Sequence, residues 1–235
     1  KVLFKEGSGR QLITPTESFP DRDVTQWLTE FLPNDKTIVA INDAKAQAIG
    51  SIHTSWRDSF KQSVLLYIGP GTGLGGAIVS MGNNSTQFEF ISDGHIYDIL
   101  VEIQGQTMIA EDILSGRGIY EHTGKQAKEL NDSHDLLKDY QHVITNCTEC
   151  LNQLITKLKN QSAIKMSAKH NWSESVQQKV AKFNAIILGG SIGTKGSISN
   201  YLVQEIENNF DYPVIKPEHS DKNALVGAVL IAEKN

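Results

Sequence analysis

Apolar residues recur at helical spacing in two stretches of the chain. Val24, Trp27, Leu28 and Phe31 indicate a helix near the start. Over residues 133–160 a longer apolar stripe predicts a second helix; its members are Leu137, Tyr140, Ile144, Cys147, Leu151, Leu154 and Leu158. The two cysteines extend this stripe, so we interpret them as buried core residues rather than as a redox pair or half of a zinc site.

Continuous apolar runs bounded by turn residues predict strands. Residues 63–68, 74–81 and 87–91 follow one another across short polar or glycine-rich connections, which indicates an antiparallel meander. Later elements are a strand at 185–188, a helix at 199–210, a strand at 213–216 and a helix at 222–233, after a polar surface excursion at 162–175. Hairpins followed by crossovers predict an α/β fold with mixed sheets flanked by helices.

A short buried strand at 37–41 leads into an alanine-rich helix that begins at Asn42-Asp43. Either side chain could cap this helix, because Asn and Asp are both preferred at that position. The two residues also lie at a strand-to-helix corner, and ligands of open α/β sheets bind at such corners. Capping and catalysis are equally consistent with the local sequence.

The loop Gly69-Pro70-Gly71-Thr72-Gly73-Leu74-Gly75-Gly76 connects two predicted strands. A tight hairpin needs one or two glycines, whereas five glycines and a hydroxyl would let backbone N–H groups approach an anion. The loop lacks the Lys-Ser/Thr of a P-loop, and no helix follows it directly. We interpret it as a phosphate-binding hairpin, with close packing as the alternative.

Composition limits the classes of partner. The chain has 235 residues and a mass of 25.9 kDa, which allows one large domain or two small lobes. A net charge of −5 without a basic block argues against nucleic acid or an anionic membrane surface as a partner. With two cysteines and no apolar N-terminal segment, we expect a cytoplasmic protein that acts on a small molecule.

A phosphate loop and a carboxylate at strand ends are what phosphoryl transfer to an alcohol requires. At these residues the sequence resembles the hexokinase/actin-like sugar kinases, specifically the bacterial ROK and glucokinase group. The resemblance rests on motifs in family order: Asn42-Asp43-Ala44, the glycine loop, Gly94-His95, Glu111-Asp112-Ile113-Leu114-Ser115-Gly116, Ile187-Leu188-Gly189-Gly190-Ser191 and Leu225-Val226-Gly227-Ala228.

The resemblance implies a two-lobed fold that binds ATP, Mg²⁺ and a hexose or N-acetyl-amino sugar in its cleft. Residues 1–62 and the C-terminal helix over 221–235 would form a small lobe, and residues 63–220 a large lobe. The implied roles are Asp43 as general base, Asn42, His95 and Glu111 as sugar contacts, Gly71, Thr72 and Gly73 at the ATP phosphates, and Gly189, Gly190 and Ser191 near the nucleoside. A homodimer is expected from the resemblance alone.

Local chemistry offers plainer explanations for two of these residues. His95 could be a turn histidine, and Glu111 could be a first-turn acid favoured by the helix dipole.

Departures from the family pattern suggest a second function. Ser92 stands where the family has the glutamate of its sugar clamp, residues 96–110 contain no cysteine to bind a structural zinc, and no Asp-x-Gly-Gly-Thr precedes Asn42. The alternative function is therefore a catalytically impaired sugar sensor or regulator on the same fold.

Overall fold

The structure, a computed structural model, describes residues 41–92, 96–160, 182–218 and 220–234. Several sequence-based predictions fall on other residues and lie outside this part of the chain. They concern the helix around 24–31, the strand at 37–41 apart from its last residue, His95, and the excursion at 162–175. The division into two lobes also stays a prediction.

The strands form a mixed sheet and a separate hairpin. They are β1 (Val64–Pro70), β2 (Leu74–Met81), β3 (Phe88–Ser92), β4 (Leu100–Ile103), β5 (Gln106–Ile109), β6 (Ala185–Leu188) and β7 (Val214–Ile215). The larger sheet has the order β3-β2-β1-β6-β7, and β4 pairs with β5. Pairing is antiparallel across β3, β2 and β1 and parallel across β1, β6 and β7, which confirms the predicted meander and the mixed α/β fold.

Helices flank both faces of this sheet. They are α1 (Asp43–Thr54), α2 (Ala110–Ile113), α3 (Gly116–Thr123), α4 (Ala127–Asp132), α5 (His134–Asp139), α6 (Gln141–Lys159), α7 (Gly190–Thr194), α8 (Gly196–Asn209) and α9 (Ser220–Lys234). Short 3-10 turns occupy Asp58–Phe60 and Ile96–Asp98. Within the described ranges, none of the helices has the length and apolar character needed to cross a membrane.

Alternate residues of β1 face two separate cores, as the two-residue period of a strand requires. Leu66 and Ile68 belong to the larger core, which contains the apolar faces of α6 and α8. Leu65 and Tyr67 belong to the smaller core, which contains residues of α1 and α9. Because both faces of β1 are buried, the strand is apolar without alternation.

Two features differ from the sequence-based expectation. The single helix predicted over 133–160 is two helices, because the backbone at Tyr140 leaves helical geometry and its N–H bonds to the carbonyl of Leu137. The apolar stripe runs unbroken across this interruption, since both helices contribute to one core. The hairpin of β4 and β5 was not predicted; Gln104 and Gly105, both at positive φ, form its turn.

The start of α1 is fixed by Asn42. Its side-chain Oδ1 accepts hydrogen bonds from the backbone N–H groups of Ala44, at 3.0 Å, and Lys45, at 3.2 Å. Asn42 is therefore the N-cap, and Asp43 is the first helical residue, where the helix dipole stabilises a negative charge.

Helices α1 and α9 approach each other closely because glycines stand at the crossing. A Cβ built on Gly50 would lie 1.8 Å from the carbonyl oxygen of Asn223, and one built on Gly227 would lie 1.8 Å from the carbonyl oxygen of Ala46. The buried Asn223 side chain donates to the Ser51 hydroxyl and accepts from the Thr54 hydroxyl. α9 thus holds the helix that begins with Asp43.

Both cysteines are buried between α6 and α2, which confirms the interpretation from the sequence. The Cys147 thiol lies 3.6 Å from the carbonyl oxygen of Ile113, and the Cys150 thiol lies 3.7 Å from that of Ala110. Burial raises the pKa of Cys147 to about 12 and also raises the pKa of Cys150.

Substituting Gly227→Ala tests the helix crossing. Helix propensity alone would favour alanine by about 1 kcal/mol, whereas overpacking at a close contact typically costs about 1–3 kcal/mol. We expect the clash at the crossing to outweigh the helix propensity, so that Gly227→Ala lowers the free energy of unfolding measured in a urea titration. Leu225→Ala is the matched control on the same helix, because Leu225 is 70% exposed. Unchanged or higher stability of Gly227→Ala would contradict the close approach.

Thiol labelling tests the environment of the cysteines. A pKa raised above the ordinary value leaves fewer thiolates at any given pH, and the thiolate is the reactive form. At pH 8 we expect a disulfide reagent to label neither cysteine in the folded protein and both cysteines in urea. Rapid labelling without denaturant would contradict the burial.

Candidate active site

Three segments that the sequence singles out meet at one edge of the sheet. They are the start of α1, the turn between β1 and β2, and the loop from β6 into α7. A Cβ built on Gly75 would lie 3.0 Å from the Ala44 Cβ, and one on Gly71 would lie 3.8 Å from the Ser191 hydroxyl oxygen. The parallel pairing of β1 with β6 brings the last two segments together, because it aligns the carboxyl ends of the strands.

The β1–β2 turn is held rigidly by its own backbone and by α3. The N–H of Gly71 donates to the carbonyl of Gly73 at 2.8 Å, and the carbonyls of Gly71 and Thr72 accept from the N–H groups of Gly116 and Arg117. The N–H groups of Thr72 and Gly73 have no acceptor among the described residues. A fixed turn with two available donors is suited to an anion.

Glu111 lies directly behind this turn. One carboxylate oxygen accepts from the backbone N–H of Leu74 at 2.9 Å, and the other accepts from the Arg117 guanidinium at 2.9 Å. A Cβ on Gly73 would lie 2.7 Å from the first of these oxygens, so a side chain at this position would displace the Glu111 carboxylate. Glu111 therefore supports the turn, and its contact with a sugar stays a prediction.

Gly189 and Gly190 are both required by contacts with β1. A Cβ on Gly189 would lie 2.3 Å from the Tyr67 ring, and one on Gly190 would lie 2.2 Å from the carbonyl oxygen of Pro70. Gly190 also has a φ of +70°, which side chains rarely adopt. Packing accounts for these two glycines, and their position near a nucleoside stays a prediction.

Asn42 and Asp43 are half-buried at the start of α1. The cap bonds use the side-chain Oδ1 of Asn42, so the NH2 group of the same side chain remains available as a donor. Asp43 lies close enough to Tyr67 to raise the pKa of that phenol. The structure thus places both polar residues at the edge of the sheet that holds the glycine turn.

A cavity of about 550 Å³ opens beside the turn. Its lining includes Gly71, Thr72, Arg117, Tyr120, Lys128, Asn131, Ser191 and Lys195. Tyr120 is 49% exposed, so its ring is accessible to a ligand. A cavity of this size fits a small organic molecule. Lys128 and Lys195 outnumber Asp132 in its lining, and Arg117 is paired with Glu111, so the balance of charge favours an anionic ligand.

Some residues of this site were not found from the sequence. Arg117 and Tyr120 lie in a helical segment whose pattern indicates only an amphipathic face. Tyr67 looks like an ordinary residue of a buried strand. The one available signal for Arg117 was its position just after Ser115-Gly116, in the first turn of α3.

The fold is shared with known sugar kinases and with a regulator. A ROK hexokinase from Thermus thermophilus matches over 91% of this chain and 70% of its own, with a TM-score of 0.61 and 14% identity. A ROK family glucokinase from Streptomyces griseus, solved with glucose and AMPPNP, matches over 98% and 78%, with a TM-score of 0.57 and 16% identity. A ROK family transcriptional regulator, a homologue of the E. coli MLC protein, matches over 97% and 59%, with a TM-score of 0.55 and 16% identity.

At these identities the structural matches show the fold alone. No curated protein sequence matches the chain. The family assignment comes from the sequence model of the ROK family, which matches residues 16–235. This match covers nearly the whole chain and agrees with the order of the motifs, and it shows that the chain belongs to the ROK family.

Proposed function

We propose that this protein is an ATP-dependent sugar kinase that phosphorylates a hydroxyl group of a hexose or N-acetyl-amino sugar. One observation carries the proposal: a carboxylate at the start of α1 shares an edge of the sheet with a turn that keeps two backbone N–H donors available. The ROK family glucokinase from Streptomyces griseus, solved with glucose and AMPPNP, supports the choice of substrates.

Asp43 is the general base in this proposal. Its carboxylate accepts the proton of the sugar hydroxyl as the bond from that oxygen to the γ-phosphorus forms and the bond to the ADP oxygen breaks. The Asn42 side-chain amide donates to a neighbouring hydroxyl and orients the sugar. His95 and Glu111 remain our further proposals for sugar contacts.

The residues beside the turn fit a nucleoside triphosphate. The N–H groups of Thr72 and Gly73 would hold phosphate oxygens, and Lys195 and Lys128 line the same cavity and would attract the negative charge. Mg²⁺ would neutralise charge on the transferring phosphoryl group and is normally bound through substrate phosphates. The half-exposed ring of Tyr120 would stack on the base.

Replacing Asp43 tests the proposed function. Asp43→Asn keeps the shape and the helix start but removes the base, so kcat for sugar-dependent ADP release should fall roughly 10²- to 10⁴-fold. The assay uses the purified natural protein, MgATP and a panel of hexoses and N-acetylhexosamines. Asp58→Asn is the control, because the Asp58 side chain is 86% exposed and away from the site. Full activity of Asp43→Asn would refute the assignment.

The nucleoside part of the cavity has a separate test. Stacking on an aromatic side chain contributes about 1–3 kcal/mol per base, which corresponds to roughly 5- to 150-fold in affinity. Tyr120→Ala should weaken binding of MgATP by that factor in calorimetry and leave binding of inorganic tripolyphosphate unchanged, since the latter has no base. Tyr120→Phe should bind both like the original protein. Equal loss of both ligands would contradict the stacking role.

A sugar sensor is the second candidate function, favoured by the structural match to a ROK transcriptional regulator. A ligand that binds only the folded state raises stability by about 2.7 kcal/mol at 100 times its Kd. Thermal unfolding with sugar alone, with MgATP alone and with both therefore separates the candidates. Stabilisation by sugar but not by MgATP, together with no ADP release, would favour the sensor.

A further inference from the structure

Tyr67 connects the segments of the candidate site from within the smaller core. Its side chain is 1% exposed, and its ring lies against the backbone of both Gly69 and Gly189. A Cβ on Gly69 would lie 2.6 Å from the phenol oxygen, and one on Gly189 would lie 2.3 Å from the ring. Gly69 on β1 and Gly189, directly after β6, form a cradle for the ring. A side chain on either residue would occupy the space of the ring.

The hydroxyl group of Tyr67 contacts two of the segments. It donates to the side-chain Oε1 of Gln47 on α1 at 3.0 Å. It also lies against the backbone that follows β6, where a Cβ built on Gly189 would come within 2.5 Å of the phenol oxygen. The hydroxyl thus lies between the helix that begins with Asp43 and the segment that leads into α7.

The phenol keeps its proton under ordinary conditions. Burial raises the pKa of Tyr67 well above its usual value, and the nearby Asp43 carboxylate raises it further. A neutral hydroxyl is needed here, because only the protonated form can donate to Gln47.

We propose that Tyr67 is a positioning residue that fixes α1 relative to the Gly189–Ser191 segment, through its hydroxyl bond to Gln47 and its packing against Gly189. The kinetic part of this inference rests on the proposed kinase function. Phosphoryl transfer depends on the alignment of acceptor and donor, and a misplacement of about 1 Å can cost roughly 100-fold in rate. Tyr67 is buried and contacts both segments, so a shift of its side chain moves both.

Tyr67→Phe is the informative variant, because it removes the hydroxyl and leaves the ring in the glycine cradle. Hydrogen exchange measured by mass spectrometry should become faster in two separate segments, residues 42–48 and 189–193. Thr54→Val is the matched control, since it removes a hydroxyl at the far end of the same helix, where Thr54 donates to the Gly50 carbonyl and to the Asn223 side chain. The control should speed exchange around residues 50–54 only. Faster exchange in one segment alone, or in neither, would overturn the proposal.

Kinetics separates positioning from simple stabilisation. Tyr67→Phe should lower kcat about 10- to 100-fold with KM for sugar and ATP changed less than about threefold, while Thr54→Val should lower the melting temperature without changing kcat. Gln47→Met removes the same hydrogen bond from the other side, so the double variant should lose no more kcat than Tyr67→Phe alone. If kcat of the double variant falls by the product of the two single losses, or if kcat of Tyr67→Phe is unchanged, the positioning role is refuted.

Failure of the two proposals can be told apart. If the unsubstituted protein releases no ADP with any sugar, the kinase function fails, while the exchange experiment still decides whether Tyr67 ties the two segments together. If the protein is active and Tyr67→Phe leaves both exchange and kcat unchanged, the positioning role fails and the kinase function stands.

Discussion

Parallel pairing of β1 with β6 is the constraint on which the rest of the structure depends. Residues from Leu65 to Ile68 pair in register with those from Ala185 to Leu188, although more than a hundred residues of chain separate the two strands. The register places the β1–β2 turn beside the loop that follows β6. The contact of Tyr67 with Gly189 and the approach of Gly71 to Ser191 both require this alignment.

Close packing explains why glycines occupy this edge of the sheet, and this explanation is compatible with a role in binding. Gly73, Gly189 and Gly190 each stand where a side chain would collide with Glu111, Tyr67 or the Pro70 backbone. Close packing and phosphate binding make the same demand, because both need backbone without a Cβ. The N–H groups of Thr72 and Gly73 are accessible to solvent, so the turn can pack closely and still offer two donors to an anion.

The sequence was sufficient for the strands and for the residues at strand ends. The β1–β2–β3 meander, the helix start at Asn42 and the buried cysteines all follow from local patterns that the folded chain keeps. The break at Tyr140 does not follow from a local pattern, because it leaves the apolar stripe unchanged. The β4–β5 hairpin does not either, because the residues that flank its turn at Gln104-Gly105 show little alternation of apolar and polar side chains. The contacts of Tyr67 and Arg117 could not be predicted from the sequence, because each residue joins segments that only the tertiary fold brings together.

The crossing of α1 and α9 also has a consequence for the order in which the chain folds. Ser51 and Asn223 are 172 residues apart in sequence, so their bond is among the contacts with the longest loop to close. A ribosome makes α1 early and α9 late, and domains generally fold as units. Until α9 emerges, the alanine and glycine face of α1 has no partner at this crossing. The crossing therefore forms only in chains synthesised through to α9, so the helix that carries Asp43 gains this support last.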